Sequence, residues 1–239
     1  MTTVALIGPD GAGKTTVARA LPAALPMPVR YLYMGVSADS SNVLLPTTRL
    51  ARRVKRALGA APDTAGPPSH RKRPASARSL PRRALRGLRS GLRLANRSAE
   101  EWYRQLVAWR WQRGGAIVLY DRHFFVDYHA YDVSGDHDRS LEQRIHGRLL
   151  ARLPRPDLVV YLDAPGEVLL ARKGEGSVEA LEARRAEYRA IAGYVPRFVE
   201  IDATQPIDAV VREVAARILD VARDGRAVDG GSATTGPAR

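Results

Sequence analysis

Residues 8–16 read Gly8-Pro9-Asp10-Gly11-Ala12-Gly13-Lys14-Thr15-Thr16, the pattern G-x-x-x-x-G-K-[ST] with every fixed position filled. A short apolar, β-rich run, Thr3-Val4-Ala5-Leu6-Ile7, stands just before it. Residues 15–25 follow with helical character and stop at Pro26. Strand, glycine turn and helix in that order predict a layered α/β chain. Glycines let the backbone curl until successive N–H groups point inward, and the helix N-terminus adds its partial positive charge. Such a nest attracts phosphate oxygens. Lys14 adds a mobile charge suited to the β- and γ-phosphates of a nucleoside triphosphate, and Thr15 a hydroxyl suited to Mg2+. The expected cofactors are therefore ATP and Mg2+, with Gly8, Asp10, Gly11, Ala12, Gly13, Lys14, Thr15 and Thr16 around them.

Four further runs, at residues 29–33, 116–120, 157–163 and 198–202, read as strands separated by helical stretches. The runs at 116–120 and 157–163 are almost wholly apolar, as expected of strands covered on both faces. The reading is a P-loop NTPase fold: a five-stranded parallel sheet flanked by helices, one domain over residues 1–222, with its ligand site at the carboxyl edges of the strands. A basic helical insertion falls at about residues 47–98. Within and beyond it, helices are expected at 48–58, 82–94 and 99–113, with a mobile loop at 59–81. Asn96 or Ser98 would cap the third helix, and Ser98 with Glu101 has capping-box spacing. Residues 223–239 read as a disordered tail.

Charge is segregated along the chain. Residues 49–113 hold 18 Lys and Arg against 3 acids (Asp63, Glu100 and Glu101), a net of +15, while the remainder nets −2. That segment attracts an anion: a phosphorylated substrate, nucleic acid or an acidic membrane. Without cysteine there is no disulfide or thiolate chemistry. No apolar run approaches a membrane span, and the N-terminus enters a strand without a signal-like stretch, so a cytoplasmic location is expected.

Several side chains carry candidate chemistry. Asp121 ends the third strand, where a carboxylate that orients Mg2+ belongs, and Arg122 beside it could grip a phosphate with both prongs; the other reading is a salt-bridged strand end. Asp10, inside the glycine loop, either meets an acceptor hydroxyl as binder or base, or stabilises a turn. Arg172-Lys173-Gly174-Glu175 suits a closing lid. Charge for a transition state is expected from Arg172, Lys173, Arg184 or Arg185. Asp202-Ala203-Thr204-Gln205 could meet an adenine ring through the backbone. Phe124, Phe125 and Tyr128 are pocket or core. His123, His129 and His137 lie among Asp127, Asp132, Asp136 and Asp138, with spacing that matches no metal site.

Taken together, the chain resembles the thymidylate kinase family, over roughly residues 1–35 and 116–222. The resemblance is carried by the glycine loop with Asp10-Gly11, by Tyr120-Asp121-Arg122-His123, by residues 156–163, by Arg172-Lys173-Gly174-Glu175 and by Ile201-Asp202-Ala203. It implies a kinase that passes the γ-phosphate of ATP to an acceptor. Lys14 would act on phosphates, Thr15 on magnesium, Asp10 near an acceptor hydroxyl, Arg122 on the acceptor phosphate and Arg172 over adenine or the phosphates. A homodimer is suggested by the same likeness. Three departures stand out: Ile7 replaces an acidic residue, Tyr31-Leu32-Tyr33-Met34-Gly35 replaces an Arg-Glu-Pro-Gly segment, and the basic insertion has no counterpart. The expected acceptor is small and anionic, dTMP or another nucleoside monophosphate. The alternatives are a hydroxyl of a sugar, glycan intermediate or natural product, and a nucleotide-dependent protein binding nucleic acid or anionic membrane, which is not favoured.

Overall fold

The computed structural model describes residues 2–35, 41–57, 80–128, 140–174 and 176–231. Among them five strands form one sheet, all parallel, in the order β2-β3-β1-β4-β5. The strands are β1 (Thr3–Ile7), β2 (Val29–Tyr33), β3 (Ile117–Asp121), β4 (Leu158–Asp163) and β5 (Phe198–Asp202). Parallel neighbours need a long crossover, and helices supply it. Every residue of β1, β3 and β4 is buried. Their continuous apolar sequence is what two covered faces require. The register sets Leu6 beside both Asp121 and Val160, so the ends of β3 and β4 flank the end of β1.

The helices are α1 (Lys14–Ala24), α2 (Pro46–Ala57), α3 (Leu80–Arg113), α4 (Phe124–Tyr128), α5 (Leu141–Leu150), α6 (Gly166–Lys173), α7 (Val178–Ala190) and α8 (Ile207–Gly231). The chain divides into two compact units. One comprises residues 1–32, 108–123 and 155–239; the other comprises residues 33–107 and 124–154. The second unit therefore takes in more than the insertion read at 47–98. In the first unit the core joins the sheet to α1 and α8 through Val17, Ala18, Leu21, Val210, Val214 and Ile218, all buried. Their spacing of three and four residues is the apolar stripe that a helix lays on a sheet.

The two helices expected at 82–94 and 99–113 are one, α3, which runs without a break. Neither glycine nor proline stands between Leu92 and Arg113 to interrupt it. Ser98 is no cap: its buried hydroxyl has no hydrogen-bond partner. Glu101 instead meets His146. The capping box belongs to α5, where Ser140 and Gln143 bond each other's backbone at 3.3 and 3.0 Å. The last helix continues to Gly231, through part of the expected tail. Residues 232–239, and 58–79 of the expected loop, lie outside the described residues.

Candidate functional site

The glycine loop joins β1 to α1 within the first unit. Gly8, Gly11 and Gly13 all take positive φ, at 144°, 91° and 83°. A Cβ on Gly8 would stand 2.4 Å from the carbonyl oxygen of Leu162, and one on Gly11 would stand 3.0 Å from that of Leu169. The loop is thus pressed against the end of β4 and against α6, and side chains are excluded both by φ and by space. Lys14 opens α1, buried, and its ammonium donates to the carbonyl oxygens of Gly8 and Pro9 at 2.8 Å each.

Asp121 is brought directly beside this loop. Its Oδ2 accepts from the Thr15 hydroxyl at 3.4 Å and from the Tyr31 hydroxyl at 2.8 Å. Tyr31 went unnoticed in the sequence because it reads as one more alternating residue of β2. Arg122 is the sole non-glycine with positive φ, 64°, among the described residues. Such a conformation is costly for a bulky residue and marks a constrained position. Its backbone N–H donates to Leu6 O at 3.1 Å, and its guanidinium lies 2.5 Å from Asp10 Oδ1.

Asp10 is half-exposed and ringed by cations: Arg122, Lys173 at 3.6 Å and Lys14 at 3.7 Å. Burial would raise its pKa, but the three positive charges outweigh that and hold the carboxyl below its ordinary value. Asp10 is therefore a fixed anion that gathers three of the candidate cations, and not a residue of the turn alone.

A cleft of about 320 Å3 opens on the other side of the loop, lined by Gly11, Gly13, Thr16, Arg172, Ala203 and Gln205 among others. Val17, Ile207 and Val210 give it an apolar floor. Arg172 donates to Ala203 O at 3.0 Å, so α6 and the turn after β5 meet across the rim. Asp202 does not line this cleft. Its Oδ1 accepts from the backbone and hydroxyl of Thr204 at 2.8 and 2.6 Å, which holds the turn and lowers the carboxyl's pKa.

Of the four cations considered for the transition state, Arg172 and Lys173 face the loop. Arg185 is committed elsewhere: it bonds both oxygens of Asp163 at 2.7 and 2.6 Å and both of Glu182 at 2.7 Å. Arg189 and Tyr161 also bond Asp163, at 2.8 and 2.5 Å. Arg184 pairs with Glu187 at 2.9 Å. In the sequence this hub reads as charges three and four residues apart on α7, and nothing there marks Asp163, buried at the end of β4, as their organiser. Gly174 ends α6 in the left-handed region, φ 70°; Glu175 lies outside the described residues.

Phe124, Phe125 and Tyr128 are core, each about 3% exposed in the second unit. Phe124 lies beneath the Arg104 guanidinium at 5.2 Å, and Tyr128 meets His146 edge-on at 4.7 Å. His123, fully buried, is pushed down to about 4 by desolvation. His129, His137, Asp132, Asp136 and Asp138 lie outside the described residues. Among the described residues no group of three or more His, Cys, Asp and Glu could hold a metal. A hydroxyl and a carboxylate, Thr15 and Asp121, remain as a two-donor set, which suits a cation carried in with phosphates and water.

No protein-family model matches this chain.

Proposed function

We propose that this protein is an ATP-dependent kinase with a P-loop, similar to thymidylate kinases, that moves the γ-phosphoryl group of ATP to a small phosphorylated acceptor. dTMP or another nucleoside monophosphate fits best. The observation that carries this reading is the loop Gly8–Gly13 with Thr15 and Asp121 side by side at its mouth. Three glycines in a conformation that other residues rarely adopt make a cradle with room for backbone N–H groups to meet phosphate oxygens.

Gly11, Ala12, Gly13, Lys14 and Thr16 would hold the triphosphate, and the cleft beside Arg172, Ala203 and Gln205 would take the base. Thr15 and Asp121 would hold Mg2+, which when bound neutralises charge on the β- and γ-oxygens. Lys14 now rests on carbonyl oxygens, which a phosphate would outbid as an anionic acceptor. Arg122 and Lys173, gathered by Asp10, would meet the acceptor and the developing charge.

The state of Asp10 favours a phosphate over an alcohol as acceptor. A general base works best with a pKa near the working pH. Asp10 is held the other way, by Arg122 above all. A phosphate monoester is already anionic and needs no base; a sugar hydroxyl does.

Purified protein with Mg-ATP and a panel of nucleoside monophosphates, dTMP first, should release ADP with at least one of them. Turnover with none, but with an unphosphorylated sugar or alcohol, would transfer the reading to hydroxyl acceptors. No affinity for Mg-ATP would overturn it.

A further inference from the structure

Helices α2 and α3 wear their sidedness the wrong way round. The face that α3 turns into its own unit is polar: Glu100, Glu101, Arg104 and Gln105 are all buried, between 1% and 8% exposed. Glu101 meets the imidazole of buried His146 at 2.9 Å. Glu100 accepts from the Leu45 N–H at 3.1 Å, and Arg104 donates to Gly35 O at 2.9 Å. The apolar side faces out. Leu88, Leu92 and Leu106 are 61%, 62% and 56% exposed, and with Ala95 and Ala99 they fall on one stripe at steps of three, four and seven residues.

The shorter helix repeats the inversion. Its inward residues are Thr48 and Arg52, and the Thr48 hydroxyl donates to Asn96 Oδ1 at 3.4 Å. Leu50 and Val54, one turn apart, are 64% and 50% exposed. Arg49, Arg53 and Arg56 are exposed beside them. Exposed apolar faces rimmed by charge on two helices joined by a hydrogen bond mark something that docks.

Charge selects the occupant. No acidic residue occurs between Asp63 and Glu100, and α2 has none. A second copy would set the same excess of arginine against itself. Nucleic acid would neutralise the arginines but leave the leucines in water. A bilayer with anionic headgroups satisfies both. We propose that α2 and the N-terminal part of α3 form a docking surface for an anionic lipid membrane. Leu50, Val54, Leu88 and Leu92 enter the headgroup boundary, and the arginines sit on lipid phosphates. The proposal goes beyond the kinase reading and stands or falls apart from it.

The test is flotation of the full chain with phosphatidylcholine vesicles, with and without a large fraction of phosphatidylglycerol. Binding is expected with the anionic vesicles alone and should weaken with salt. Replacing Arg49, Arg53 and Arg56 together by Gln should cost about fivefold per arginine and flatten the salt dependence. Leu88→Ser with Leu92→Ser should cost about tenfold or more at an unchanged salt slope. Circular dichroism and Mg-ATP affinity control for folding and for the nucleotide site. Equal binding to both vesicles, or to neither, overturns the proposal. So does a dimer seen by light scattering that the leucine pair breaks while vesicle binding persists. Duplex DNA bound as tightly by the leucine variant, with no vesicle binding, assigns the surface to nucleic acid instead.

Discussion

At the scale of single residues, the proposed function hangs on a few charges held close to the glycine loop. Lys14 donates to the carbonyl oxygens of Gly8 and Pro9 and lies 3.7 Å from Asp10, all in the loop itself, so its loss should spare the fold. On the proposed reading, Lys14→Ala lowers turnover by about a hundredfold or more, with a melting temperature within a few degrees of the parent. Initial rates and a thermal scan check this together. His123 makes a separate prediction. It is buried and accepts a proton near pH 4 in the folded state, against an ordinary 6.5. Between those values the unfolded chain binds the extra proton, so stability is present above pH 6.5 and is lost as the pH falls towards 4. One such group accounts for about 3 kcal/mol. His123→Phe should flatten the urea midpoint over that window; an unaltered acid limb would exclude His123 as the source.

At the scale of elements, α7 is fastened to the end of β4 by charge and not by a wide apolar face. Tyr188 is its sole buried residue among those described, stacked on Tyr161 of β4 at 5.7 Å, and Asp163 carries the rest through Arg185 and Arg189. Removing one partner of such a hub strands charge in a place half closed to water. Arg185→Ala should cost about 2 kcal/mol, less than a fully buried pair because part of the group sees solvent. Arg185→Lys should recover little, since an ammonium cannot span both carboxylates. Urea midpoints at constant slope measure both. The elements near the loop were legible because one short pattern encodes strand, turn and helix together. The long α3 was not. Its Ser98 and Glu101 mimic a helix start, but Glu101 is bonded to His146 of α5, 45 residues away.

At the scale of the whole molecule, any ligand that binds the folded chain alone must raise its stability. On the proposed reading, Mg-ATP at about a hundred times its dissociation constant contributes about 2.7 kcal/mol, a rise in melting temperature of roughly 5–10 °C for a chain of this size. No shift at saturating Mg-ATP would contradict the nucleotide site. The five parallel strands were readable in advance, most plainly β1, β3 and β4, whose buried residues are continuous apolar runs. The glycine loop was readable because positive φ at three positions, and space at Gly8 and Gly11, disfavour any other residue there. Local rules decide such features, and the sequence carries local rules openly. What Asp10 faces, that Arg185 serves Asp163, and that α2 and α3 turn leucine outwards were settled by tertiary packing alone. Each depends on groups far apart in the chain, and a charge or a leucine looks the same in sequence whether it is paired, buried or left in water.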